Sequence, residues 1–199
     1  DIDRGAVAKG LKTIADLFAA GVKRRVFDRN EARSAMDRVA PATTEVPLPV
    51  DLVIEAAAEN LKVKQQIFAS LERRSRIDTI LATNTSSLPV TEIARGLAHP
   101  GRVVGIHFFN PVHKMQLVEV VVGDRTDPEV ADRAVRWVQS IGKLPVVCKD
   151  RPGFLVNRIL MPYLIEAGLL FADGARIEDI DGAMTAFGMP MGPLRLLDE

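Results

Sequence analysis

Three polar clusters follow short apolar runs, and they hold the side chains best suited to chemistry. Asn84-Thr85-Ser86-Ser87 follows the run ending at Thr83. His107 and Asn110 stand at the end of RVVGIHFF (102–109). Glu55 and Glu59 follow the run 50–54. An imidazole titrates near pH 6.5, about where a general base for neutral conditions should. Ser86 or Ser87 with His107 and an acid would also supply the chemical types of a hydrolase triad. The G-x-S-x-G elbow of that class is missing, however. His99, His107 and His113 do not fall at compact ligand spacings and Cys148 has no partner cysteine, so no metal site is expected. No G-x-G-x-x-G occurs either, so the residues alone leave the cofactor open. Each cluster also has a plain structural reading. Asn84–Ser87 can cap the helix near Pro89, and His107 can be a satisfied core histidine.

Positioning these groups requires a scaffold, and the apolar pattern describes one. VDLVIEA (50–56), TILATNT (79–85), RVVGIHFF (102–109), LVEVVVG (117–123) and LPVVCK (144–149) read as strands. Helices are predicted at 3–22, with Asp3 as cap and Gly21 as stop, within 23–40, and at 60–74 with Val63, Ile67 and Leu71 on one face and Phe68 beside them. Another begins at Asp127 or Pro128, with Val130, Ala134, Trp137 and Ile141 on one stripe. Strands alternating with helices imply an α/β fold, a doubly wound and mostly parallel sheet, whose ligands bind beyond the carboxyl ends of the strands. After Arg151-Pro152-Gly153 only helical patterns follow: 154–172, with a kink expected at Pro162, then 177–187 and a start near Pro193. A domain boundary is therefore placed near Asp150.

Composition narrows the function classes. The 199 residues balance 26 Lys+Arg against 26 Asp+Glu, which points away from nucleic acid. A lone cysteine forms no internal disulfide and suits a reducing compartment. No apolar run is long enough to span a membrane.

EAAAENLKVKQQIF (55–68), TNTSSL (83–88), HFFNPVHKMQLVEVV (107–121), DRPGFLVNRIL (150–160) and MPMGPLRLLDE (189–199) resemble the 3-hydroxyacyl-CoA dehydrogenase family. The resemblance implies a Rossmann-like NAD-binding domain over 1–149, lacking its first β-α-β unit, and the start of an all-α substrate and dimerisation domain over 150–199. It implies NAD-dependent oxidation of L-3-hydroxyacyl-CoA to the 3-oxoacyl-CoA in fatty-acid β-oxidation. His107 is then the general base and Glu119 the acid that orients it. Ser86 and Asn157 correspond to the residues that hydrogen-bond the substrate oxygen. Asp1, Glu59, Lys64, Ser86 and Asn110 correspond to cofactor contacts, and Lys23, Arg24 and Arg25 lie where the family meets CoA.

The motifs VHKMQLVE and FGMPMGPLRLLDE resemble the multifunctional β-oxidation proteins more than the short enzymes. That implies a chain cut at both ends from a larger cytoplasmic protein, with an enoyl-CoA hydratase domain before it, a thiolase subunit beside it and a homodimer contact through its helices. Without the Gly-rich turn the piece is expected to bind NAD weakly and to be inactive on its own. A dehydrogenase acting on a free hydroxy acid and a non-catalytic assembly domain remain the alternatives.

Overall fold

A computed structural model describes residues 3–42 and 46–198. The chain divides into two compact units, residues 1–48 and 49–199. The first unit contains helices α1 (Arg4–Lys23) and α2 (Arg29–Asp37). Asp3 caps α1 as expected, its carboxylate accepting from the Gly5 and Ala6 N–H groups at 3.0 Å. Gly21 does not stop the helix, which runs on to Lys23. The glycine is there for space: a Cβ would lie 2.6 Å from the Phe27 ring. Asp28 and Glu31 form a reciprocal capping box on α2.

The second unit is built on a sheet. Its strands are β1 (Leu52–Glu55), β2 (Ile80–Thr83), β3 (Val103–Phe108), β4 (Leu117–Val122) and β5 (Leu144–Lys149). They lie in the order β1-β2-β3-β4-β5. Every neighbouring pair is parallel except β3–β4. The exception has a simple cause. Residues 109–116 are too few for the helical crossover that a parallel pair needs, so β4 turns back beside β3. Helix α3 (Leu61–Arg74) joins β1 to β2, α4 (Val90–Ile93) and a short 3-10 turn join β2 to β3, and α5 (Pro128–Ser140) joins β4 to β5.

Ile80, Ala82, Val104, Ile106, Val118 and Val120 form a core with Val130, Ala134 and Val138 of α5. The stripe on α5 differs from the predicted one at its end. Trp137 is partly buried, edge-on to Phe108 at 6.4 Å, and Ile141 is the exposed C-cap. The buried face of α3 is also rotated from the predicted one. Phe68 and Leu71 are buried as expected, but Lys64 is buried with them and Val63 is exposed. A lysine counts as polar in any periodicity, so a stripe that contains one is read out of phase.

Beyond β5 the chain is helical: α6 (Val156–Ala172), α7 (Ile177–Phe187) and α8 (Pro193–Asp198). Pro162 lies inside α6. Asp181 of α7 accepts from the Leu194 and Arg195 N–H groups at the start of α8. No helix among the described residues is long and apolar enough to cross a membrane. No group of His, Cys, Asp and Glu among them could hold a metal ion.

Candidate active site

His107 and Glu119 are register partners across the antiparallel β3–β4 pair. Partners in a ladder put their side chains on the same face of the sheet. Here that alignment brings His107 Nδ1 to 2.7 Å from Glu119 Oε2, with both side chains buried. An ionised carboxylate can only accept, so Nδ1 carries the proton and donates it. In the neutral ring Nε2 is therefore left with its lone pair. The other oxygen, Glu119 Oε1, accepts from the N–H groups of Leu155 (2.9 Å) and Val156 (2.8 Å). Those groups open α6, where a helix has unpaired donors and the positive end of its dipole. One carboxylate thus aligns the histidine and docks the first turn of the helical segment.

Two rings enclose the imidazole. Phe109 lies 4.6 Å from it between centroids and Phe154 lies 5.8 Å away, edge-on. Phe154 is buried although its backbone is left-handed, at φ 48°. Such a conformation costs a non-glycine residue roughly 1–2 kcal/mol. The residue before it, Gly153, also has positive φ, and a Cβ there would lie 2.9 Å from the Arg158 nitrogen. The Arg-Pro-Gly turn that ends the sheet region is what sets this ring against the histidine.

A second group gathers at the carboxyl ends of β1 and β2. Glu55 ends β1 and is buried with Lys64 of α3, whose ammonium donates to both of its oxygens at 2.8 Å. Thr83 Oγ1 and the Ala57 N–H also donate to Glu55. Lys64 reaches Glu59 Oε2 at 3.5 Å. Glu59 Oε1 in turn accepts from Thr85 Oγ1, from the Ser86 N–H (3.1 Å) and from the Ser86 and Ser87 hydroxyls (3.4 and 3.3 Å). Burial pushes the Glu59 carboxyl up, but those hydrogen bonds and the Lys64 charge outweigh it and hold it below its ordinary value.

The predicted site residues fall as follows. Ser86 is exposed beyond β2, and Asn157, in the first turn of α6, donates to its carbonyl at 3.4 Å. Asn110 is exposed just after β3. Asn84 Oδ1 accepts from the Phe108 N–H, tying the ends of β2 and β3 together. Lys64 is not at the surface; its ammonium is committed to Glu55 and Glu59. Lys23, Arg24 and Arg25 lie exposed at the end of α1 in the first unit, and Asp1 lies outside the described residues. Residue-type reasoning missed the Glu55–Lys64 pairing and the part of Phe154. The signal for the first was an acid ending an apolar strand nine residues before a lysine in a helix.

The chain matches models of known protein families. The model described as 3-hydroxyacyl-CoA dehydrogenase, NAD binding domain, matches residues 1–151. The chain belongs to the 3-hydroxyacyl-CoA dehydrogenase family. The C-terminal domain model of the same family matches residues 153–199. Among curated proteins, the fatty acid oxidation complex subunit alpha of Acinetobacter baumannii is 43% identical over all 199 residues, which cover 28% of its length. The chain thus spans about a quarter of that relative. Among solved structures, 3-hydroxybutyryl-CoA dehydrogenase from Escherichia coli K12 superposes with a TM-score of 0.94 at 40% identity, covering 98% of this chain and 42% of that one. The (S)-3-hydroxybutyryl-CoA dehydrogenase PaaH1 from Ralstonia eutropha gives 0.94 at 36%, over 98% and 70%.

Proposed function

We propose that this region oxidises the 3-hydroxyl of L-3-hydroxyacyl-CoA to the ketone, with NAD+ as cofactor, in fatty-acid β-oxidation. The observation that carries the reading is the buried His107–Glu119 pair, which leaves Nε2 as a base. Nε2 takes the hydroxyl proton while hydride leaves the same carbon. Glu119 holds the ring in the required tautomer and stabilises the imidazolium that forms, as the acid of a serine-protease triad does. The Phe109 and Phe154 rings restrict water around the base. The Ser86 hydroxyl and the Asn157 amide hold the substrate oxygen and fix its angle to the base.

The donor set suits a nicotinamide cofactor. Hydroxyls and an amide at Ser86, Ser87 and Asn110 stand exposed where β2 and β3 end, and that end of such a sheet is where dinucleotides sit. Glu59 adds a carboxylate beside them. Bound NAD+ supplies the hydride acceptor. Family likeness implies cofactor contacts at Asp1 and Lys64 as well; the Lys64 ammonium, committed to Glu55 and Glu59, serves the cofactor only through Glu59. The functional division falls near Asp150, with the sheet region serving the cofactor and the helices serving the substrate and a homodimer contact. In the intact protein this reading places a hydratase domain in the same chain, a thiolase subunit beside it and the whole in the cytoplasm. Similarity to a fatty acid oxidation complex subunit supports that arrangement.

The test is His107→Gln in the intact protein, assayed by NADH formation from a 3-hydroxyacyl-CoA. Loss of a general base is expected to lower kcat by roughly 10²–10⁴-fold with KM little changed. Turnover at the wild-type rate would remove His107 from the mechanism. Activity on free hydroxybutyrate but not on its thioester would move the substrate outside the CoA esters.

A further inference from the structure

Besides Glu119, the deeply buried charges near the site belong to a pair that takes no part in the proton and hydride transfer above. Lys64 and Glu55 have side chains 1% and 3% exposed. An ammonium has three hydrogens. Two meet the oxygens of Glu55 at 2.8 Å, and the third has Glu59 Oε2 within 3.5 Å. Glu55 is equally occupied, by Lys64, Thr83 and the Ala57 N–H. Burying such a pair seldom stabilises a fold more than apolar residues of the same size would. A purely structural pair would also end at its own partners. This one continues outward, because Glu59 is half-exposed and its far oxygen holds Ser86 and Ser87.

Glu59 is thus fixed at two points. Lys64 holds Oε2 from beneath, and the backbone and hydroxyls of residues 85–87 hold Oε1 from above. A carboxylate pinned at both oxygens cannot rotate, so the Ser86 backbone, whose N–H it accepts at 3.1 Å, is fixed with it. The Ala57 N–H bond to Glu55 clamps the start of the loop that carries Glu59. We propose that Glu55 is a positioning residue: through Lys64 it holds Glu59 in the orientation that fixes the Ser86 backbone, from which the Ser86 hydroxyl reaches the substrate oxygen when its hydrogen turns away from Glu59 Oε1. The proposal rests on the role given to Ser86 above.

The test compares Glu55→Gln, Lys64→Met and the double variant in the intact protein. Three readouts are taken: thermal midpoint, hydrogen exchange of the Ser86 amide, and NADH formation with its pH profile. Glu55→Gln leaves the buried Lys64 charge with only Glu59 at 3.5 Å, Lys64→Met leaves the Glu55 carboxylate without a cation, and both lose stability. The double variant removes both charges and recovers most of the midpoint. Its Ser86 amide is nevertheless expected to exchange about tenfold faster, and kcat to fall about tenfold, because the hold on Glu59 is gone. The pH at which activity rises should stay in place, since His107 and Glu119 are untouched. Wild-type exchange at Ser86 in a folded double variant would overturn the proposal. If the double variant does not fold, Glu55→Asp decides: it keeps the charge and shortens the reach, and wild-type Ser86 exchange there overturns the proposal equally. Absence of turnover in the wild-type protein would sink the catalytic reading instead, with the exchange measurement still judging the positioning.

Discussion

Two buried acid–base pairs lie in the sheet unit, and they differ in what they leave over. Around Glu55 and Lys64 every oxygen and every ammonium hydrogen has a partner within reach. Between Glu119 and His107 the acid is saturated while the base is not: Glu119 takes three hydrogen bonds, and His107 uses only Nδ1 on it. A saturated pair can transmit position but cannot exchange a proton. An unsaturated one keeps a lone pair for chemistry, and the rigid partner fixes where that lone pair points. The difference follows from residue type. A lysine gives all its hydrogens to carboxylates, whereas an imidazole has two nitrogens on opposite sides of a ring.

The comparison is broken most strongly at Glu119. Glu119→Gln can still accept from Leu155 and Val156, but its NH2 group would now donate to His107 Nδ1. The proton would move to Nε2 and the base would be lost. A fall in kcat on the order of 10³–10⁴-fold is expected, with circular dichroism and Tm near wild type. A loss under tenfold would mean that the tautomer does not matter. A smaller effect is expected at the saturated pair. Thr83→Val removes one donor from the buried Glu55 carboxylate, at a cost of about 1–3 kcal/mol. For a unit of this size that is a fall of several degrees in Tm. An unchanged Tm would show that Glu55 does not need its full set of partners.

The smallest expected effect is a pH dependence at Glu59. Its carboxyl is held below the ordinary 4.5 in the folded chain. The stability this contributes is fully present above that ordinary value and is lost as pH falls through the lower, folded one. The difference in urea midpoint between wild type and Glu59→Gln should therefore be constant above about pH 4.5 and shrink below it. A difference that does not change between pH 6 and pH 3 would show that the carboxylate is not held by its neighbours. Side-chain exposure near two-fifths keeps this effect modest.

Much of the architecture was readable from local pattern. The bounds of β5 and α7 match their apolar runs residue for residue, because each run is bracketed by residues that end it. What pattern could not read was pairing. Nothing local to LVEVV says that Glu119 faces His107; the antiparallel register says so, and it follows from the shortness of the 109–116 link. The phase of α3 was lost because Lys64 is buried, and it is buried because Glu55 lies across from it, nine positions back in sequence. Asp150 was read only as a boundary. Its carboxylate accepts from the Val90 and Thr91 N–H groups, some sixty positions earlier. Gly21 was read as a stop because backbone freedom is visible in a residue type and a neighbouring ring is not.

The strand that carries Glu119 is held on both sides, antiparallel to β3 from Val118 to Val121 and parallel to β5 from Leu117 to Val122. Glu119 cannot slide past His107 unless both ladders open together. The helix that carries Asn157 is attached differently at its start, by two N–H groups resting on that same carboxylate. Under mild denaturant the molecule should therefore lose its abilities in sequence. The grip on the substrate oxygen goes first, when the first turn of α6 lifts away, and the alignment of acid and base persists until the sheet itself gives way.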